Sequence, residues 1–344
     1  VNRWAVILAG GVGSRFWPLS TPERPKQLLA LAGSEPLLAE AVRRLTPLVP
    51  PERTLVITNR TLAPAVSSLL SDVPEENVIA EPRSAGTAPA LAWAAAEIQR
   101  RADAGAVMLS VHADWAVGDP EGFRSTLACA AEVAERQKGL VTVGIVPTRP
   151  DPGFGYIQPG EQVDGARRAA RFVEKPDRTT AERMVRDGYL WNSGIFVWRV
   201  GDFLAEVAAH SPEVASALPK AEAGDIEAFF GAVTPISVDH GVLERSARVF
   251  VLPGDFEWDD VGTWAALRRV RRLDADGNAA AGDTHLVHAS GNVVHTEGQT
   301  VVLYGVNDLV VVSRDGLTLV TSVDRAADLK TLLDALPPSV RDRR

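Results

Sequence analysis

Five short apolar runs rich in β-branched residues, Trp4–Leu8, Thr54–Thr58, Val78–Ala80, Ala106–Val111 and Leu140–Ile145, alternate with alanine- and leucine-rich stretches at Leu37–Leu45, Leu62–Leu70, Ala88–Arg101 and Gly122–Gln137. This alternation constrains the fold more than any other feature. Parallel strands cannot be joined by a tight turn, and a helix is the usual crossover between them. A parallel sheet with helices on both faces is therefore expected. Leu91, Ala95 and Ile98 recur at helical spacing and should face that sheet. After about residue 150 the rhythm changes. Gly155–Gln158, Arg168–Val173 and Gly194–Arg199 read as strands, with helical pieces at Thr179–Asp187 and Gly201–Ala209, a mixed extension of the same sheet. From Gly282 to Ser322 the chain turns to valine, threonine and glycine, with short strands at His285–Val287, Asn292–His295, Thr300–Tyr304, Leu309–Val312 and Leu317–Val320. This reads as a small all-β appendage, a few irregular coils of a β-helix, closed by a helix over Ala326–Leu336. The expected division is 1–275 for an α/β domain and 276–344 for the appendage.

Composition excludes several classes. The 344 residues carry 44 acidic and 36 basic side chains, a formal net charge of −8, which speaks against a basic nucleic-acid binder. No apolar run approaches the ~18 residues of a transmembrane helix. The run Val6–Ala9 is too short for a signal peptide. The single cysteine, Cys129, cannot form an internal disulfide and reads as a buried structural thiol on a helix. A reduced, cytoplasmic, soluble protein with no nucleic-acid or membrane partner is expected.

Leu8-Ala9-Gly10-Gly11-Val12-Gly13-Ser14-Arg15 follows the first strand. Glycines at 10, 11 and 13 let the backbone approach an anion and turn several N–H groups toward it. A dinucleotide fingerprint is a poor fit, because Phe16 stands where a third glycine is needed. A P-loop lacks its Gly-Lys-Ser/Thr. A nucleotide loop that adds its own cations fits better: Arg15 follows the glycines directly, and Lys26 comes after a segment stiffened by Pro18, Pro22 and Pro25. A plain strand–turn with surface charges is the alternative.

Gly10-Gly11-Val12-Gly13-Ser14-Arg15-Phe16-Trp17-Pro18-Leu19 with Pro25-Lys26-Gln27 resembles the opening motif of the sugar-nucleotidyltransferases, and specifically of the mannose-1-phosphate guanylyltransferases. Glu81–Ala90, Val111–Trp115, Gly153–Ile157, Phe172–Pro176, Tyr189–Phe196 and Asp255–Trp264 continue the resemblance in order. It implies a Rossmann-like domain with a mixed, largely parallel sheet, followed by a small β-helix-like C-terminal domain. It also implies an enzyme that makes GDP-mannose and pyrophosphate from GTP and mannose 1-phosphate, with Mg²⁺ as cofactor. The nucleotide would lie on Leu8, Ala9, Gly10, Gly11, Gly13, Ser14, Arg15 and Lys26, with Arg15 and Lys26 catalytic and Thr87, expected as a helix N-cap, on the purine side. The family usually has asparagine where Gly86 stands. Bifunctional relatives add a phosphomannose isomerase domain; with only a short β appendage here, that second activity is not expected.

A carboxylate just past a parallel strand's C-terminal end lies where such sheets bind ligands, and Asp114 holds that position. Alone, an aspartate there is more often a helix cap or turn former than a metal ligand. Asp260 is the second candidate, and two converging aspartates could hold one Mg²⁺ whose other positions go to water and phosphate. By resemblance, Asp114 and Asp260 are the metal ligands, with Asp259 a capping or supporting residue. His112 and Trp115 replace the family's usual proline and histidine. Glu174 would bind sugar hydroxyls and Lys175 the sugar phosphate; Asn192 offers an amide and Gly155 a close backbone approach. A related pyrophosphorylase using glucose 1-phosphate or another nucleotide, or a non-catalytic sugar-nucleotide sensor, are the competing readings. The valine-rich appendage could pair two chains into a homodimer.

Overall fold

The computed structural model describes residues 2–11 and 14–342, without the Ser14 side chain. Gly13 and that side chain, both expected on the phosphate loop, lie outside the described residues. The chain groups into two compact units.

The first unit takes the residues up to Gly10, Val42–His112 and Asp119–Phe256. Its strands are β1 (Arg3–Leu8), β2 (Thr54–Asn59), β3 (Val78–Glu81), β4 (Val107–His112), β5 (Leu140–Ile145), β6 (Tyr156–Val163), β7 (Ala166–Val173), β8 (Leu190–Arg199) and β9 (Val249–Gly254). They form one nine-stranded sheet in the order β3-β2-β1-β4-β8-β5-β9-β7-β6. Pairings β1 to β2, β1 to β4 and β2 to β3 are parallel, with Ala5 opposite both Thr54 and Leu109. β8 runs antiparallel to its neighbours β4 and β5, so the sheet is mixed, as the change of rhythm predicts. From β1 the chain moves outward to β2 and β3, then returns to place β4 on the other side of β1. The carboxyl ends of β1 and β4 therefore mark the point where strand order reverses, the usual ligand crevice of an open α/β sheet. Gly10 and Ala113 follow those two strand ends within two residues.

β9 has no counterpart among the expected strands. Its parallel pairing with β5, Val249 opposite Leu140, buries an apolar run ending in Pro253-Gly254. Helix α1 (Thr87–Arg101) buries Leu91, Ala95 and Ile98 as its spacing predicts. It also buries its remaining alanines, because helices at Val200–His210 and Leu218–Glu222 pack on it as well. Cys129 departs from expectation. The buried stripe of α2 (Pro120–Gln137) is Phe123, Leu127, Ala130, Ala131, Val133 and Ala134, which leaves Cys129 exposed on the outer face. Among the described residues no helix is long and apolar enough to cross a membrane.

The second unit takes Gly11–Ala41, Ala113–Gly118 and the residues from Glu257 onward. Here β10 (Ala279–Ala281), β12 (Val293–Glu297) and β14 (Leu309–Arg314) stack in parallel, as do β11 (Thr284–Val287) and β13 (Val301–Tyr304). Ala279 lies opposite Val293, and Val293 opposite Val310. These are true β-helix coils, and their unequal lengths explain why no clean period shows in the sequence. β15 (Leu317–Ser322) closes the stack in antiparallel. A ladder of buried amides fixes the coil register: Asn292 Nδ2 donates to Asn278 Oδ1 at 2.9 Å, and Leu309 N–H donates to Asn292 Oδ1 at 3.0 Å. The closing helix is shorter than expected, Leu329–Ala335, because a 3₁₀ turn at Val323–Arg325 precedes it.

The core of this unit is shared. Phe16, Trp17, Leu19, Leu29 and Leu31 pack with Trp264, Val293, Val310 and Val312. Trp264 Nε1–H donates to the Trp17 carbonyl at 3.1 Å, and Trp17 Nε1–H to the Arg341 carbonyl at 3.0 Å. His295 on β12 is buried beside Trp264, with Arg271 Nη2 2.8 Å from its Nδ1. Burial, and then the Arg271 charge, push the imidazole down to about 4. Between that value and the ordinary ~6.5 an unfolded chain binds a proton that the folded chain does not. Stability is thus expected to fall as pH drops through this window, by on the order of 2 kcal/mol from this group. Melting temperatures of wild type and His295→Gln across pH 4–7 check this: the variant should show the flatter profile.

Candidate active site

In the second unit, Pro25 holds an extended backbone and opens a 3₁₀ turn over Lys26–Leu28. The turn sends the Lys26 side chain inward, where only 7% of it is exposed. Its ammonium donates to Asp114 Oδ2 at 3.0 Å and to the Asp260 carbonyl at 2.6 Å. Three residues singled out from distant parts of the sequence therefore meet at one nitrogen. The Phe16 ring lies 5.8 Å from that nitrogen and walls it on one side. Gln27, buried next to it, donates from Nε2 to the Gly11 carbonyl at 3.0 Å, so the glycine loop and the Pro-Lys-Gln segment are tied by a direct bond. Arg15 stands exposed on a short 3₁₀ turn, Ser14–Phe16.

Asp260 sits on a strained turn. Val261 is β-branched yet has φ +47°, a conformation that costs energy and persists only when its surroundings impose it. The buried Asp259 imposes it. Its Oδ1 accepts from Val261 N–H at 2.8 Å, and Arg269 grips the same carboxylate at 2.5 and 3.1 Å. Asp259 thus supports the turn that carries Asp260.

Asp114, with 38% of its side chain exposed, presents a carboxylate beside the Lys26 ammonium, and Asp260 reaches the same nitrogen through its main-chain carbonyl. No group of three or more acidic, histidine or cysteine side chains forms a ready cage among the described residues. Two carboxylates with the remaining positions left to water and phosphate would suit a hard divalent cation rather than a closed structural site.

In the first unit, the end of β1 is firmly held. Ala9 N–H donates to the Ile57 carbonyl at 2.8 Å and the Thr58 hydroxyl to the Ala9 carbonyl at 3.2 Å, while Gly10 after it is exposed. Glu81, at the end of β3, would lie 3.7 Å from a Cβ placed on Gly10. Burial pushes its carboxyl up to about 7. Thr87 is not the cap of α1; that position is Gly86, at φ +85°. A Cβ on Gly86 would meet the Ile236 carbonyl oxygen at 2.3 Å, so the asparagine common in the resembling family has no room here. Thr87 instead accepts from Val238 N–H at 2.9 Å, tying the helix start to the turn that carries Asp239.

Gly155, Glu174 and Asn192 also converge in this unit. Asn192 N–H donates to the Gly155 carbonyl at 2.8 Å, and a Cβ on Gly155 would strike Glu174 Oε2 at 2.8 Å. The hollow they share is lined further by Tyr156, Asp239 and Glu244. Lys175, at φ +42°, is exposed and donates to Glu174 Oε1 at 2.6 Å. Asp239 is the residue that sequence reasoning missed. Asn192 Nδ2 donates to its Oδ1 at 2.7 Å, which fixes which way the amide points. Burial raises the Asp239 carboxyl, with the Asn192 bond opposing. Its one signal in the sequence is an acid set in the apolar run from Ile236 to Leu243.

The nucleotidyl transferase family matches over residues 4–277. The chain is 37% identical to a mannose-1-phosphate guanylyltransferase of Escherichia coli K12, over 97% of this chain and 73% of that protein. It is 34% identical to the alginate biosynthesis protein AlgA of Pseudomonas aeruginosa, over 96% of this chain and 71% of that one. Among solved structures, one described as a mannose-1-phosphate geranyltransferase from Thermus thermophilus superposes with a TM-score of 0.89 at 36% identity, covering 97% of this chain and 99% of that one.

Proposed function

Since this chain belongs to the nucleotidyl transferase family, and within it to the mannose-1-phosphate guanylyltransferases, we propose that it transfers the GMP unit of GTP to mannose 1-phosphate, giving GDP-mannose and pyrophosphate. The observation that carries this reading is the meeting of Lys26, Asp114 and Asp260. A lysine held between two aspartate segments supplies a fixed cation for a polyphosphate substrate, with carboxylates beside it for a counter-ion.

In the proposed reaction a phosphate oxygen of the sugar ester attacks the α-phosphorus in line. A new P–O bond forms, the bond to the β-phosphate oxygen breaks, and its electrons leave with pyrophosphate. The nucleophile is already an anion, so no side chain has to remove a proton. The barrier is mainly electrostatic and positional. Arg15 and Lys26 offset the charge of the triphosphate, and the backbone of Leu8, Ala9, Gly10 and Gly11 would lie along it. Asp114 and Asp260 would hold Mg²⁺, which when bound screens phosphate oxygens from one another. Glu81 and Thr87 lie on the purine side. Glu174 accepts from hexose hydroxyls, Asn192 orients them, Gly155 leaves them room, and Lys175 pairs with the ester phosphate.

Pyrophosphate release measured across four nucleoside triphosphates and several sugar 1-phosphates, with and without Mg²⁺, tests the reading. GTP with mannose 1-phosphate should give the highest kcat/KM; no release with any pair would overturn it. Lys175→Ala is expected to raise KM for the sugar phosphate about tenfold, because an exposed point charge contributes roughly 1–2 kcal/mol to phosphate binding. kcat should change little, as steady-state kinetics would show.

A further inference from the structure

The segment Leu19–Leu31 carries Lys26, yet its polar anchors come from the C-terminal coils and from Arg271, in the stretch that leads into them. Arg24 Nη1 and Nη2 each donate to a carboxylate oxygen of Glu297 at 2.8 Å, a two-pronged pair reaching from the segment to β12. Arg314 on β14 donates from Nη1 to the Leu19 carbonyl at 3.0 Å, and its Nε lies 3.6 Å from Glu297. Arg271 donates from Nε to the Leu31 carbonyl at 2.6 Å and pairs with the neutral His295 through Nη2. The segment is therefore gripped at its start, near its middle and at its end. The bond from Arg24 draws the Glu297 carboxyl below its usual range, so the pair is ionised throughout the neutral range.

We propose that Glu297, with Arg314 and Arg271, acts as a set of positioning residues: through Arg24 and the two carbonyls they hold the Leu19–Leu31 segment so that Lys26 stays on Asp114 and Asp260. In this view the β-helix serves as a brace for the catalytic lysine. The physical reason is mechanical. A segment with prolines at 22 and 25 forms only one helical turn of its own, Lys26–Leu28, so the direction of Lys26 depends on where the ends of the segment are tied. A bidentate guanidinium–carboxylate pair fixes orientation as well as distance. The proposal rests on the role given to Lys26 above.

Two readouts on the full chain separate the two readings. Glu297→Gln should lower kcat about tenfold, leave KM for mannose 1-phosphate within twofold, and speed amide hydrogen exchange at Leu28 and Leu29. The exchanged pair Arg24→Glu with Glu297→Arg should recover most of the loss caused by either change alone. Normal turnover and unchanged exchange in Glu297→Gln would overturn the brace. So would loss of kcat in the single variants with no recovery in the exchanged pair while that pair keeps the wild-type melting temperature. If the wild-type chain released no pyrophosphate with any substrate pair, the proposed activity would fall, while the exchange measurement would still decide whether the coils hold the segment.

Discussion

Lys26→Ala lowers kcat about a thousandfold, the scale seen when one fixed donor to developing charge is removed from a water-poor site, while the protein stays folded. The side chain is almost fully buried with its charge, and a buried charge is expensive to keep. Its partner Asp114 is 38% exposed and can be rehydrated once the ammonium is gone. Removing Lys26 therefore relieves a desolvation cost as it breaks an ion pair, and the melting temperature should move by only a few degrees. Circular dichroism and pyrophosphate release on the same preparation check both halves; a variant with wild-type kcat would remove Lys26 from the chemistry. Asp260→Ala makes the complementary test. Lys26 uses the main-chain carbonyl of Asp260, which this change leaves in place. Loss of turnover there, by orders of magnitude, would report on the Asp260 carboxylate and not on the lysine's anchor.

Asp259→Ala should be the most destabilising change near the site, by about 2–3 kcal/mol. That lies below the ~3–5 kcal/mol typical of a fully buried broken pair, because Arg269 is 41% exposed and can take up water. Three losses combine: the two-pronged bond from Arg269, the acceptor for Val261 N–H, and the restraint on a β-branched residue at φ +47°. Val261 is then free to relax, and the Asp260 carbonyl drifts from Lys26. Turnover should fall about tenfold even where the variant is fully folded. Asp259→Asn keeps the acceptor but not the charge and should fall between the two. Urea unfolding would measure the series; a melting profile equal to wild type in Asp259→Ala would show that the turn holds itself.

Most of the sheet was legible because apolar alternation reports burial directly, and strands such as Thr54–Asn59 and Leu140–Ile145 lie in its interior. β9 was not, because nothing local separates a buried parallel strand from any other short apolar run ending in proline. Its identity depends on β5, about a hundred residues earlier. The charged and glycine residues of the candidate site stood out through motif and position. Asp239 did not, since what distinguishes it is the amide of Asn192, 47 residues away in the chain. Gly86 shows the same limit from the other side. The sequence marks it as a departure, but only the Ile236 carbonyl explains why no side chain fits.

The bond between Trp17 and Arg341 joins residues 324 apart in the chain. During synthesis the ribosome delivers the Lys26 segment well before the coils that receive it. Contacts of such high sequence separation form late in folding. A nascent chain arrested before the final coils would carry every strand of the large sheet and still be catalytically silent. Competence would then wait on those coils rather than grow with length.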